Sequence, residues 1–202
     1  MMALETLEQG LAQLGLFLDP KPFMHYLALL EKWNKAYNLT AIRHLDDMVV
    51  LHVLDSLAIL AWVCGTSLLD VGSGAGLPGL PIALARPEIA VTLLDGNGKK
   101  CRFLQEVKRQ LKLPNLNIVH TRMEHFKPVK LYDCITSRAF SHIEPMMRLT
   151  RTVLAPNGAW LAMKGVPPLE ELANIAPEHY KLHTYQVPFL DGQRCCVVMD
   201  NH

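Results

Sequence analysis

The run Leu68–Leu84, LLDVGSGAGLPGLPIAL, limits what this chain can fold into more than any other stretch. An apolar segment ends in Asp70-Val71, then Gly72, Gly74, Gly76 and Gly79 follow, and a second apolar stretch begins. That order reads as a strand, a tight turn and a helix start. The alternation continues downstream. Strands are expected near 67–71, 90–95, 116–120, 132–137, 158–163, 181–187 and 194–200, and helices near 79–86, 98–112, 142–154 and 168–175. Strands alternating with helices imply right-handed crossovers and a parallel sheet. Only PFLDGQ separates the last two strands, and Asp191-Gly192 is a hairpin signal, so the final strand is expected to run antiparallel to its predecessor.

Upstream of the glycine turn the texture is helical. Phe23, Tyr26, Leu27, Leu30, Trp33 and Tyr37 recur at steps of three and four behind Pro22, which a helix start tolerates. A later helix is expected at about 46–62, opened by Asp46 and Asp47. Val50, Leu54, Leu57 and Ala61 mark its apolar face, and His52, Asp55 and Ser56 its opposite ridge. The expected architecture is α/β: a Rossmann-like seven-stranded sheet with its last strand antiparallel, over 63–202, preceded by a helical extension over 1–62.

Composition narrows the function. Of the 202 residues 50% are hydrophobic, enough for a sizeable core and against disorder. A net charge of +1 means that any RNA contact must come from a local patch. The five cysteines form no C-x-x-C pair, so reduced thiols are expected rather than disulfides or a metal site. The start MMALETLEQG has no basic segment of a secretory signal, and the apolar run 57–64 is far short of the ~20 residues of a membrane span. A soluble, cytoplasmic protein without membrane or metal partners is expected.

The glycine turn admits two overlapping readings. Gly72-Ser73-Gly74-Ala75-Gly76 is G-x-G-x-G, while Gly74 through Gly79 is a literal G-x-G-x-x-G, the dinucleotide fingerprint. A phosphate-binding P-loop fails, since no Gly-Lys-Ser/Thr follows. Glycine spacing alone does not decide. The fingerprint requires its first glycine at the strand end, and that glycine is Gly72. Asp70 beside the turn would repel a pyrophosphate but favour a ligand carrying a sulfonium and an ammonium, such as S-adenosylmethionine. Asp95 ends the second strand where an acid accepts hydrogen bonds from a ribose diol, which suits either ligand. Met123 and Glu124, after the third strand, are candidates to line the adenine.

The fourth strand ends in CITSRAF, with no Asn/Asp-Pro-Pro-aromatic sequence for amine methylation and no cysteine beyond the strand end for covalent attack on a pyrimidine. Arg138 remains. Arginine cannot act as a base. A nucleophile that already owns a free lone pair is therefore indicated, and guanine N7 is one. Catalysis would be mostly alignment. An arginine bridging O6 and N7 would block attack, so Arg138 should contact O6, a phosphate or the cofactor. Lys164, on the rim after the next strand, joins Arg138 as a candidate catalytic residue. Lys164, Arg194, Lys32, Lys35, Arg43 and His52 are candidates for a basic track along an RNA backbone.

DVGSGAGLPG, WNKAYNLTAIR, HVLDS, SRAF, MKG and LDGQR, in this order along nearly the whole chain, resemble the bacterial 16S ribosomal RNA (guanine-N7) methyltransferase G family, also called glucose-inhibited division protein B. The resemblance implies a class I S-adenosylmethionine-dependent methyltransferase fold. It implies methylation of N7 of guanine 527 in 16S rRNA, presented on the small ribosomal subunit; a monomer is expected. Cofactor contacts would fall on Gly72, Leu77, Met123, Glu124 and Arg138, with Gly74 in the same turn, Asp70 beside it and Asp95 on the ribose. His52, Asp55, Lys164 and Arg194 match family positions; an RNA-facing role is expected for them, with a helix-anchoring role the alternative for His52 and Asp55. His52 and Asp55 lie three apart on one ridge, within mutual reach. Gly96 and Cys195 stand where the family often has Ser or Ala and His.

Overall fold

A computed structural model of the chain describes residues 2–138, 140 and 142–201; Ala139 of the SRAF motif lies outside them. Seven strands form one sheet: β1 (Ser67–Val71), β2 (Ala90–Asp95), β3 (Leu116–His120), β4 (Tyr132–Ser137), β5 (Leu154–Lys164), β6 (Tyr180–Gln186) and β7 (Gln193–Asp200). Their spatial order is β3-β2-β1-β4-β5-β7-β6. The first five pair in parallel, and β7 runs antiparallel to both β5 and β6. The order reverses between β1 and β4, which opens a crevice beyond the carboxyl ends of the strands. An antiparallel strand inserted between β5 and β6 departs from the 3-2-1-4-5-6 order of dinucleotide-binding sheets.

The helices are α1 (Met2–Gln13), α2 (Lys21–Tyr37), α3 (Leu45–Met48), α4 (Asp55–Leu57), α5 (Gly79–Ala85), α6 (Gly98–Leu111), α7 (Ile143–Thr150) and α8 (Leu169–Leu172). Asn97 caps α6, its side chain accepting from the N–H groups of Lys99 and Lys100. Alternate residues of β1 enter opposite core clusters. Leu68 joins Tyr26, Leu54, Leu80 and Phe103 on one face, and Leu69 joins Ile135, Ile143 and Trp160 on the other. The extension is therefore packed into the first cluster. Tyr26, Leu27 and Leu30 of α2 are fully buried, and the rings of Tyr26 and Trp33 lie 6.3 and 5.8 Å from Phe103 of α6.

The regular helix expected at 46–62 is replaced by α3, a π-helical turn Val49–Leu54, α4 and a 3₁₀ turn Leu60–Trp62. Asp55 N–H reaches back to Val50 O, five residues away, and the wider turn shifts the side chains around the axis. Leu54 and Leu57 are buried as expected, but His52, Asp55 and Ser56 are buried with them, whereas Val50 is half-buried and Ala61 exposed. Packing holds the turn. A Cβ on Gly10 of α1 would lie 2.4 Å from Leu54 Cδ1, so α1 rests directly on this segment. Ser56 Oγ donates to His52 O at 2.5 Å.

Candidate active site

The glycine turn is lashed to the end of β2. Gly72 and Ser73 both donate N–H to Leu94 O, at 2.8 and 3.1 Å. Gly72, Gly74 and Gly76 have φ of 70°, 61° and 99°, a region that side chains disfavour. The turn is also pinned from the extension, because Tyr26 Oη donates to Ala75 O at 2.9 Å. Asp95 bridges two loops: Oδ2 accepts from Gly74 N–H at 2.8 Å and Oδ1 from Asn97 N–H at 2.7 Å. Beside them lies a crevice of about 360 Å³, lined in part by Gly72, Asp95, Gly96, Met123, Glu124 and Phe140. The residues fit an adenosine. The Asp95 carboxylate keeps lone pairs for a diol, buried Met123 offers an apolar surface, and exposed Glu124 stands at the rim.

Four expected cofactor residues do not line the crevice: Gly74, which is tied to it only through its bond to Asp95, and Asp70, Leu77 and Arg138, which sit elsewhere. Asp70 does not face the crevice: its side chain is wholly buried, and Oδ2 accepts from Gly79 N–H at 2.8 Å, bracing the first turn of α5. The cause is strand alternation. Val71 borders the crevice, while Asp70 shares the face of Leu68 beneath α5. Burial pushes the Asp70 carboxyl up to about 7 against the Gly79 N–H and the Arg138 charge. A group so placed cannot meet a cationic ligand directly. Leu77 is buried in the core, and its N–H donates to Ser73 O. Arg138 borders a second cavity instead.

That second cavity, about 350 Å³, gathers His52, Asp55, Arg138, Lys164 and Arg194, brought together from the extension, the end of β4, the end of β5 and the start of β7. Ile42, Leu51, Met163, Gly165 and Tyr185 complete its lining. Arg138 Nη1 donates to Leu51 O at 3.0 Å and to Asp55 Oδ2 at 3.3 Å. Arg194 Nε stops 3.8 Å from Asp55 Oδ1. Burial raises the Asp55 carboxyl, and both arginines work to lower it. Lys164 Nζ donates to Glu171 Oε1 at 2.9 Å, while Glu171 Oε2 accepts from Ile143 N–H at 2.6 Å at the start of α7. Although burial opposes it, the hydrogen bonds from Lys164 and Ile143 hold the Glu171 carboxyl below its usual value.

His52 and Asp55 take different partners. His52 Nε2 bonds Thr40 Oγ1 at 3.0 Å. Burial first, and the Arg138 charge second, lower its pKa to about 4, so the ring is neutral near pH 7. Of the remaining basic candidates, Lys32 and Lys35 are exposed on α2, and Arg43 donates to Asn38 Oδ1 at 2.9 Å. None of these three borders the cavity.

Tyr26, Tyr185, Thr40 and Glu171 escaped the reading of the sequence. Tyr26 counts as one more apolar position in its helix, and its hydroxyl matters only because α2 crosses the glycine turn. Glu171 lies in a polar stretch with no periodic signal. After β4, Arg138 borders the second cavity and Phe140 the first.

A seven-stranded sheet in this order, with a glycine turn after β1 and an acid ending β2, is the class I S-adenosylmethionine-dependent methyltransferase fold. A solved S-adenosylmethionine-dependent methyltransferase from Aquifex aeolicus superposes with a TM-score of 0.58 at 16% identity, covering 77% of this chain and 93% of its own. Within that class, the family model described as rRNA small subunit methyltransferase G matches residues 20–196, and the chain belongs to this family. The Legionella pneumophila (strain Philadelphia 1) ribosomal RNA small subunit methyltransferase G is 48% identical over 195 residues, 96% of this chain and 93% of the relative. The Stutzerimonas stutzeri (strain A1501) protein of the same name is 50% identical over 203 residues, covering 96% and 94%.

Proposed function

We propose that this chain transfers the methyl group of S-adenosylmethionine to N7 of guanine 527 in 16S rRNA, acting as a cytoplasmic monomer on the small ribosomal subunit. The observation that carries the proposal is that Arg138, just past β4, borders a cavity rich in arginine, while Phe140, two positions on in sequence, borders a crevice that fits an adenosine. The relatives' names support the RNA substrate.

When bound, S-adenosylmethionine supplies an electrophilic methyl group. The chain's own task is to hold. Asp95 would accept from the ribose hydroxyls, Met123 and Glu124 would hold the adenine, and Gly72 would let the backbone approach closely. Guanine N7 carries its lone pair in the ring plane and loses no proton, so a general base is not required. Neutral His52 fits that economy. Arg138 and Lys164 restrict the base to an attacking orientation, and effective alignment of this kind accounts for several kcal/mol in such reactions, roughly 7–11 at best. Arg194 adds a cation for the RNA backbone near the mouth.

Small subunits purified from cells lacking this protein, incubated with the enzyme and methyl-labelled S-adenosylmethionine, test the reading. Label should enter 16S rRNA, and chemical cleavage at 7-methylguanine should map it to position 527. Label at another nucleotide, or none in RNA, would refute the proposal.

A further inference from the structure

An enzyme that methylates N7 must choose its base without touching N7. Adenine carries an N7 as well, and the commonest guanine contact, an arginine across O6 and N7, would engage the reacting lone pair. O6 separates guanine from adenine, which has a donor amino group there, and the opposite edge of the ring offers a second signal. There guanine presents two donors, N1–H and the 2-amino group, whereas adenine presents an acceptor at N1 and no amino group at C2. The side chain that accepts from two adjacent donors is a carboxylate.

Asp55 is the carboxylate that lines the second cavity among the described residues. It is only 7% exposed, and one oxygen is unsatisfied: Oδ2 takes a hydrogen bond from Arg138, but Oδ1 has none. Three further polar atoms of cavity residues are buried without a hydrogen-bond partner: Arg194 Nε, Tyr185 Oη and His52 Nδ1. Folded proteins leave few such groups without a hydrogen bond; here Asp55 Oδ1 and Arg194 Nε face each other at 3.8 Å, an ion pair too long for a hydrogen bond, and Tyr185 and His52 border the same cavity. Leu51 and Met163 add apolar wall for a flat ring.

We propose that Asp55 selects guanine, its carboxylate accepting from N1–H and the 2-amino group of a base turned into this cavity while N7 stays free. The inference rests on the reading of guanine N7 as the methyl acceptor. Arg138 and Arg194 flank the carboxylate and oppose the upward push of burial on it. Adenine would set its N1 lone pair against that charge and be rejected. Turning the base out of its stack is the usual route for enzymes that modify one.

The test uses small subunits reconstituted with 16S rRNA carrying either guanosine or inosine at the target, introduced by splinted ligation. Inosine keeps N7, O6 and N1–H and lacks only the 2-amino group. Wild-type enzyme is expected to show kcat/KM lower for inosine by on the order of tenfold or more. In Asp55→Asn, one acceptor is exchanged for a donor, and the guanosine-to-inosine ratio should fall to about one or below, with S-adenosylmethionine affinity retained. Equal wild-type rates on the two substrates, or an undiminished ratio in Asp55→Asn, would overturn the assignment of Asp55 and leave the methyltransferase reading standing. Failure of wild-type enzyme on guanosine-bearing subunits would overturn that reading and this inference with it. Where the variant fails to fold, equal wild-type rates on the two substrates still overturn the assignment.

Discussion

Two buried titratable residues set opposing pH dependences. The unfolded chain protonates His52 as the pH falls through 6.5, whereas the folded chain resists until about 4. Stability is therefore drained across that window as the pH falls. Asp70 runs the other way. Its folded value of about 7 lies above the unfolded 3.8, so its contribution is fully present at low pH and is lost as the pH rises through about 7. The two slopes overlap and largely cancel in the wild-type chain. His52→Gln removes one of them. Relative to wild type, the variant should gain about 2 kcal/mol between pH 7.5 and pH 5, from ~1.4 kcal/mol per unit over the part of that range below 6.5. Urea denaturation at the two pH values measures it, and a constant gap would mean that the imidazole protonates in the folded state. Asp95 concerns binding instead. Asp95→Ala removes the acceptor that bridges Gly74 and Asn97, and calorimetric titration should show S-adenosylmethionine affinity reduced on the order of tenfold or more. Unchanged affinity would take Asp95 out of the ribose contact.

Among elements, hydrophobic runs and glycines made most of the sheet legible before any coordinates. β1 to β4 lie where the apolar runs place them, and the Asp191-Gly192 hairpin joins β6 to an antiparallel β7. β5 begins four residues earlier than its apolar run, because Leu154 pairs with Tyr132 across an irregularity that Pro156 disguises. The π turn at Val49–Leu54 is not legible in local pattern; it packs against α1 at Leu54, a contact between distant segments. The candidate site divides in the same way. Residue types told of a carboxylate near the turn, but only the register of β1 beneath α5 shows that Asp70 braces a helix. Nor does local pattern reveal that Tyr26 reaches the turn. Tyr26→Phe keeps the packed ring and deletes the bond to Ala75 O, so stability should fall by about 1–2 kcal/mol. S-adenosylmethionine affinity should fall with it, by several-fold, if α2 shapes the turn. A stability loss with intact affinity would show that the glycine turn keeps its form unaided.

At the scale of the whole molecule, the helical extension and the sheet share one interior. The larger core cluster runs from Leu7 and Leu11 of α1, through Tyr26, Leu27 and Leu30, to Leu80, Phe103 and Leu104 beside the sheet. Removing residues 1–62 would uncover the second half of that list. Each large apolar side chain so exposed costs about 1.5–3 kcal/mol, and a domain's whole stability is about 5–15 kcal/mol, so losing a handful of these contacts exceeds it. The second cavity would be lost too, since Ile42, Leu51, His52 and Asp55 all come from the removed segment. The full chain is accordingly expected to unfold in one calorimetric transition, with calorimetric and van't Hoff enthalpies in agreement. A chain of residues 63–202 alone should lack a cooperative transition and fail to retain S-adenosylmethionine on dialysis. Two resolved transitions in the full chain, or a truncated chain that melts sharply and binds the cofactor, would show instead that the sheet and its glycine turn stand without the extension, and that the extension contributes only the RNA-facing half of the site.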